Sequence, residues 1–285
     1  MSGRRTKTIA AGGALIVGLF GFYFASPYLF SKGTSTELTP DEVRQYYLEH
    51  TTTSVLAVSG STTTGPASGT SVGTAAPTTD APPPLAVLPK LGIYTYATTG
   101  GDEVDALAGQ HHDYPATTTI TVVPSGCGVL QRWDVLKERW EEWQRCVQGD
   151  AIVQPARTNY DSFFGLSQTD AYSCSGDGRP VRAPAGTHWM LVCEEPGKVN
   201  TYSGEVIGAE TMQVGGTAVD TLHVRITVDN GQSGDSQVTD TWYQVGSDLL
   251  IAQTALNATS NPSPVGTTHY LEHYEIHLVS LEPDT

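Results

Sequence analysis

The sequence predicts a mainly β protein, in which a curved antiparallel meander forms an open half-barrel that follows an N-terminal transmembrane helix. Three observations predict this. Thr, Ser and Gly are abundant while charged residues make up only 16% of the chain, which favours strands and turns over surface helices. Apolar and polar residues alternate from about residue 87 onward. An uncharged apolar run directly follows a basic N-terminus.

The N-terminus predicts a membrane anchor. Arg4, Arg5 and Lys7 precede residues 8–31, which contain no charged residue. A helix of that length rises about 36 Å and can cross a hydrocarbon core of about 30 Å. Basic flanking residues favour a cytoplasmic N-terminus. We therefore expect a cytoplasmic tail at residues 1–7, a single-pass anchor in the cell membrane with the lipid bilayer as partner, and an extracytoplasmic remainder.

A cleaved signal peptide is the alternative interpretation of the apolar run. Cleavage requires small residues one and three positions before the cut. A cut after Ala25 would place Tyr23 at the third position, and a cut after Ser26 would place Phe24 there. An uncleaved anchor therefore agrees better with the sequence.

Three further regions follow the anchor. Thr39–Glu42 has the sequence of a capping box with proline at the first helical position, which predicts a juxtamembrane helix within residues 32–50. Residues 51–86 consist almost entirely of Thr, Ser, Gly, Ala and Pro, with Asp80 as the only charge. Such a composition predicts a disordered linker. Residues 87–285 are then the extracytoplasmic β domain.

The four cysteines predict two disulfides. Cys127, Cys146, Cys174 and Cys193 all lie in the β domain and form no C-x-x-C motif, so a zinc site is disfavoured. An even number of cysteines outside the cytoplasm indicates disulfide bonds. Three connectivities are possible, and we predict Cys127–Cys146 with Cys174–Cys193, because each pair closes a short local loop.

The segment between the first two cysteines is open to two interpretations. Trp133, Trp140 and Trp143 lie at helical spacing, which would suit a helix. A hairpin registered by the first disulfide would instead place Trp133 opposite Trp140 and Arg132 opposite Glu141, and both are favourable cross-strand pairs. The hairpin is the favoured interpretation.

Strands and turns alternate through the β domain. Gly100-Gly101, Asp229-Asn230-Gly231 and Gly246-Ser247-Asp248 are turn sequences. Short turns of this kind between strands predict an antiparallel meander. The predicted strands cover Gly92–Thr98, Thr117–Val123, Leu222–Val228, Ser236–Val245, Leu249–Thr254 and His269–Leu281.

The charge of the protein limits its partners. The formal net charge is −15. Residues from Leu88 onward include ten Lys/Arg and 25 Asp/Glu, so the β domain accounts for the whole net negative charge of the protein. A surface this acidic repels phosphate backbones. Nucleic acid is therefore not an expected partner.

Metal and catalytic chemistry are not expected. His269, His273 and His277 recur every four residues, but on a strand they span about 27 Å and cannot share one metal ion. His111-His112-Asp113 lies in a predicted loop with no second group of ligands near it in sequence. The β domain has neither G-x-S-x-G nor H-E-x-x-H, two signatures of hydrolases. We predict no catalytic residues, no metal, no cofactor and no enzymatic activity.

The late strands resemble those of exported bacterial proteins that have an open, twisted β half-barrel, such as lipoprotein carriers and envelope lipid carriers. The segments that carry this resemblance are Gly204–Asp220, Leu222–Thr227, Asp240–Gln244 and Leu249–Ile251. Tyr94–Gly101 and the region from Cys127 to Gly165 are similar to an uncharacterised family of membrane-anchored actinobacterial proteins. The resemblance implies a curved sheet that could hold an apolar ligand, and it transfers no site residues.

These expectations lead to two functional hypotheses. The first is a membrane-anchored extracytoplasmic binding module that holds a lipid or another apolar ligand on the concave face of its sheet. The second is a structural or regulatory interaction component of a cell-envelope complex, with a filled core, a protein partner and no ligand. Alternate positions of the late strands would line the ligand site in the first case: Leu222, Val224, Ile226, Trp242 and Leu250.

Overall fold

The computed structural model describes residues 35–57, 85–106, 109–263 and 266–285. These residues form one helix and fourteen strands. The helix is α1 (Pro40–Ala57), and the strands are β1 (Gly92–Val104), β2 (Gln110–Asp113), β3 (Thr117–Ser125), β4 (Gly128–Leu136), β5 (Arg139–Gln148), β6 (Ala151–Phe163), β7 (Leu166–Gly176), β8 (Arg179–Pro180), β9 (His188–Glu195), β10 (Lys198–Val214), β11 (Thr217–Asp229), β12 (Ser236–Gln244), β13 (Leu250–Ser263) and β14 (Gly266–Leu278).

Twelve of the strands form a closed antiparallel barrel, so the mainly β, antiparallel prediction is confirmed and the open half-barrel is wrong. The ring runs through β1, β3 to β7 and β9 to β14. It closes where β1 pairs with β14, from Tyr96 opposite Leu278 to Val104 opposite Tyr270. Closure satisfies the backbone groups that two open edges would leave unpaired. The short strands β2 and β8 pair with β1 and β6 beside the ring.

The Gly100-Gly101 turn predicted from the sequence is instead part of β1, which continues through both residues to Val104. Gly100 has a φ of 122°, and a Cβ there would overlap the carbonyl oxygen of His273 on β14. A Cβ on Gly101 would overlap the carbonyl oxygen of His112 on β2. The two glycines therefore let neighbouring backbones approach β1 closely rather than turn the chain.

The hairpin between the first two cysteines is confirmed, but its register differs by one residue from the prediction. Trp133 lies opposite Glu141, and Trp140 lies opposite Asp134. The shift arises because Cys146 pairs with Gly128 rather than with Cys127, so the disulfide joins diagonal positions. A bulge follows Asp134. Because a shift of one residue exchanges the two faces of a strand, the expected pairing of the two tryptophans is wrong.

The two tryptophans consequently lie on opposite sides of the barrel wall. Trp133 is fully buried in the lumen, with its ring centroid 4.6 Å from that of Tyr274 and 6.2 Å from that of Tyr114. Trp140 lies on the outer face and stacks on Tyr160 at 5.2 Å. The inner aromatic cluster fills part of the lumen as an ordinary hydrophobic core.

Both predicted cysteine pairs are confirmed. Cys127 and Cys146 have Cα atoms 5.4 Å apart. Cys174 on β7 lies directly opposite Cys193 on β9, with Cα atoms 4.1 Å apart. Each bond therefore joins neighbouring parts of the barrel wall.

Helix α1 packs on the outside of the barrel against β1 and β3. Its start has the expected capping box, because the amide of Thr39 donates to the Glu42 carboxylate at 2.8 Å and the amide of Glu42 donates to the Thr39 hydroxyl at 3.3 Å. Val43 is buried against the barrel. The helix extends to Ala57, past the expected end at residue 50 and into the predicted linker.

Among the residues that the structure describes, no helix has both the length and the hydrophobicity needed to span a bilayer. The predicted cytoplasmic tail and the predicted anchor at residues 8–31 lie outside the described residues, as does most of the predicted linker.

Candidate functional site

The lumen of the barrel contains a cavity of about 110 Å³ beside the aromatic cluster. A cavity of about 150 Å³ can hold benzene in a well-studied protein, so this space suits a molecule of about five non-hydrogen atoms. Charged, aromatic and aliphatic side chains all line it. Those that determine its chemistry include Glu141, Trp143, Arg145, Arg157, Arg179 and Trp189.

One wall of the cavity is the Arg179 corner, which consists of Gln131, Arg145, Arg179, Tyr243 and Asp248. Asp248 is fully buried, and it accepts hydrogen bonds from Nη2 of Arg179 at 2.5 Å and from the Gln131 amide at 2.7 Å. Nε of Arg145 lies 3.7 Å from the same carboxylate. The Arg179 guanidinium stacks over the Tyr243 ring at 3.5 Å. Two arginines thus share one carboxylate in this corner.

Several guanidinium donors in the Arg179 corner have no acceptor among the residues that the structure describes. Nε and Nη1 of Arg179 are buried without a hydrogen-bond partner, as is Nε of Arg145. The Arg179 side chain is only 5% exposed. Buried donors without acceptors are costly and rare in folded proteins. These donors are therefore available to an acceptor other than the described residues.

A second group of charged side chains, the Glu141 network, consists of Tyr114, Arg139, Glu141, Arg157 and Glu272, and its members Glu141 and Arg157 line the cavity. Glu141 accepts from Arg157 at 2.8 Å and also from Arg139. Nε of Arg139 donates to Glu272 at 3.0 Å, and the Tyr114 phenol donates to the same oxygen at 2.6 Å. Burial acts to raise the pKa of Glu141, but the two arginines outweigh it and hold that pKa below its ordinary value. The network is thus internally paired.

Asp161 is an additional carboxylate beside the Glu141 network. Its Oδ1 lies 3.3 Å from Nε of Arg139, but it makes no hydrogen bond to any described residue. Burial raises the pKa of Asp161 to about 7, although Arg139 opposes the shift. This carboxyl group therefore changes its protonation near neutral pH.

A buried His–Asp pair lies at the end of the barrel near the start of β3. Nδ1 of His112 is 2.7 Å from Oδ1 of Asp102, and both side chains are only 1% exposed. Phe163 stacks on the His112 ring at 4.7 Å, and Gln110 lies 3.4 Å from its Nε2. In the described residues, the imidazole makes no hydrogen bond to a serine, threonine or cysteine. The predicted loop around His112 is strand β2.

The structure places the five sequence-predicted lining residues in three settings. Ile226 and Leu250 line the cavity. Leu222 and Val224 are buried in the packed core and do not line it. Trp242 stacks on His223 at 4.2 Å, at the edge of the core. The barrel therefore brings two of the five to the cavity and distributes the others around it.

The three histidines of β14 lie on the outer face, as strand spacing predicts. His269, His273 and His277 are all exposed. His269 pairs with Asp105 at 2.6 Å, and His277 pairs with Glu275 at 2.6 Å. Within the described residues, no group of three or more His, Cys, Asp or Glu side chains is arranged to hold a metal ion.

Sequence reasoning did not identify the arginines and acids of the lumen. A signal was present in β5, where Arg139, Glu141, Trp143 and Arg145 occupy alternate positions and so share a face. That face was not assigned to the interior, because charged side chains are mostly exposed in folded proteins.

Comparison with protein-family models, with curated proteins and with solved structures finds no match to this chain.

Proposed function

We propose that this protein is a membrane-tethered extracytoplasmic binding module that encloses a small ligand in the lumen of its barrel. The observation that carries the proposal is the cavity beside Arg179, where buried guanidinium donors lack acceptors. Pockets that combine aromatic and aliphatic walls with a few convergent polar groups are typical of small-molecule sites. We do not propose catalysis.

The size and chemistry of the lumen favour a small ligand with a polar group over a lipid. A lipid acyl chain has many more carbon atoms than a cavity of about 110 Å³ accommodates. The cavity also exposes the ligand to the charged groups of Arg145, Arg157 and Arg179. Binding of a lipid or another wholly apolar ligand stays a prediction from the sequence, and the geometry supports it less well.

Co-purification tests the proposal. The full-length protein would be purified in mild detergent and analysed by native mass spectrometry, followed by extraction and identification of bound small molecules. Thr239→Phe places a ring in the cavity, whereas Thr227→Phe places the same ring on the exposed outer face of β11. We expect a bound molecule in the wild type and in Thr227→Phe, and its loss in Thr239→Phe.

Two results would contradict the proposal. One is a wild-type protein that carries no small molecule and is not stabilised by any member of a library of charged and neutral metabolites. The other is a bound molecule that Thr239→Phe retains while remaining folded, since the ligand would then lie elsewhere.

The proposed location has its own support and test. Both cysteine pairs are bonded, and disulfides persist mainly in oxidising compartments. Proteinase treatment of intact protoplasts should remove the β domain, and N-terminal sequencing should begin at Met1 or Ser2. Protection of the β domain from the proteinase would refute this location.

A second candidate function is that of an interaction component in an envelope complex. The packed aromatic cluster around Trp133 favours it, because this part of the lumen is a filled core with no room for a ligand. Crosslinking in intact cells should then capture one fixed protein partner. A protein that carries a ligand and captures no partner would speak against this alternative.

A further inference from the structure

We infer that the ligand is a small carboxylate with a short apolar body, and that Arg179 and Arg145 bind its carboxyl group. This inference rests on the proposed function and specifies the ligand of the same cavity.

The donors of the Arg179 corner require an acceptor that carries negative charge. Hydrogen bonds between a guanidinium and a carboxylate are among the strongest in proteins, because both groups are charged. Asp248 uses Nη2 of Arg179, and leaves Nε and Nη1 of the same side chain free. Nε of Arg145 faces the same carboxylate without a hydrogen bond. An incoming carboxylate could satisfy donors from both arginines.

The charge balance of the corner also favours a single negative charge. Arg145 and Arg179 share one carboxylate, that of Asp248, so the corner has one more positive charge than negative charges. Arg157 does not add to this excess, because Glu141 neutralises it at 2.8 Å. Asp177 also lines the cavity, where its carboxylate accepts a hydrogen bond from the Met190 amide at 3.3 Å, but this residue is exposed and solvent screens its charge. A monoanion therefore fits better than a doubly charged ion.

The rest of the lining indicates an organic anion rather than an inorganic one. Trp189, Leu191, Ile226 and Leu250 present apolar surface to the cavity. Inorganic phosphate or sulfate would leave this surface against a strongly hydrated ion, whereas a short alkyl group would bury it favourably. The volume suits about five non-hydrogen atoms. Propionate has this size and combines a carboxylate with an ethyl group.

Calorimetric titration of the full-length protein with propionate tests the inference, with propionamide as a neutral ligand of the same shape. We expect propionate to bind at least about tenfold more tightly than propionamide, because hydrogen bonds between two charged groups are stronger than those to a neutral amide. Inorganic phosphate is the third ligand. It should bind more weakly than propionate.

The two double variants leave the net charge of the protein unchanged. R179Q/D248N replaces the buried ion pair with neutral groups of similar shape, and R225Q/D240N makes the same changes in an ion pair on the outer face. We expect R179Q/D248N to weaken propionate binding at least about tenfold, and R225Q/D240N to leave it within about twofold. R145Q should weaken binding independently if the double variant does not fold.

The possible results separate this inference from the proposed function. If propionamide binds as tightly as propionate, the lumen binds ligands but the carboxylate inference is wrong. Binding of phosphate as tight as that of propionate, with the same dependence on Arg179, would also overturn it in favour of a general oxyanion site. If no ligand binds and no molecule co-purifies with the protein, both proposals fail.

Discussion

The phenol of Tyr114 donates a hydrogen bond of 2.6 Å to Oε1 of Glu272, which links the connection between β2 and β3 to the last strand of the barrel. Glu272 is only 1% exposed, and it also accepts from Arg139 at 3.0 Å and from Asn257 at 2.6 Å. Burial and then the charge of Glu272 raise the pKa of Tyr114 well above its ordinary value. The phenol thus stays protonated and keeps its donor role.

Tyr114→Phe should destabilise the barrel by about 1.5–3 kcal/mol, because a buried carboxylate loses one charge-assisted hydrogen bond. Chemical denaturation of the purified protein measures the change. Tyr160→Phe is the matched control, since the Tyr160 ring stacks on Trp140 on the outer face and its hydroxyl makes no hydrogen bond in the described residues. Equal effects of the two substitutions would show that the bond to Glu272 contributes little.

The raised pKa of Asp161 predicts a pH dependence of stability. The folded state holds this proton up to about pH 7, whereas the unfolded chain releases it near the ordinary value of 3.8. The folded state therefore binds more protons between those values, and stability falls as the pH rises through that window. Asp161→Asn should remove this fall, so that the variant gains stability relative to the wild type as the pH increases from about 4 to 7.

Only the direction of the Asp161 effect is predicted, because its side chain is 36% exposed and solvent screens the charge. Thermal denaturation at several pH values measures it. Asp113→Asn removes the same formal charge from an exposed position of β2 and controls for net charge. Parallel curves for the wild type and Asp161→Asn would contradict the assignment.

The two disulfides should contribute similar stability. Each joins residues 19 positions apart, and a loop of about this length corresponds to roughly 3 kcal/mol of loop entropy in the unfolded chain. Replacing either pair by serines should lower the free energy of unfolding by about that amount. Guanidinium denaturation under non-reducing conditions measures it for C127S/C146S and for C174S/C193S. A loss below about 1 kcal/mol for both pairs would contradict the entropic argument.

Tyr46 should control the attachment of α1 to the barrel. The Arg132 guanidinium lies 4.9 Å from the Tyr46 ring centroid and 4.1 Å from that of Trp140, and the Tyr46 hydroxyl donates to Glu142 at 3.1 Å. Tyr46→Ala removes the cation–π contact and the hydrogen bond, which together amount to about 1–2 kcal/mol.

Hydrogen exchange of the α1 amides should then accelerate about tenfold while exchange in the barrel stays unchanged. Tyr47→Ala, at the next position of the same helix, controls for the loss of a tyrosine. Unchanged protection of α1 in Tyr46→Ala would show that other contacts hold the helix.

Local patterns in the sequence predicted local structure well. The alternation in Leu222–Val228 and the β-branched run of Thr117–Val123 both correspond to strands, and the spacing of the cysteines predicted the two bonds. Closure of the barrel could not be predicted, because the pairing of Tyr96 with Leu278 joins distant segments that carry no local signal of each other.

The site was harder to predict than the fold. Side-chain period fixes which residues share a face, but not whether that face is inside or outside. Arg139 and Glu141 were therefore indistinguishable in sequence from solvent-exposed charges. Their burial is explained by three-dimensional pairing, of Arg139 with Glu272 and of Glu141 with Arg157. The one-residue shift opposite Trp133 likewise arose from a disulfide that joins diagonal positions, which the sequence pattern does not reveal.

The β1–β14 seam has a consequence for the order of assembly. All other neighbours in the ring are adjacent or next but one in the chain, whereas this contact spans the whole domain. Until β14 (Gly266–Leu278) is available, a partly formed barrel presents two unpaired edges, which are the features that make incomplete β structures prone to association with other chains. The pairing of β1 with β14, which ends at Val104 and Tyr270, should consequently be slow. The protein is most prone to associate with other chains in the interval before this last strand pairs.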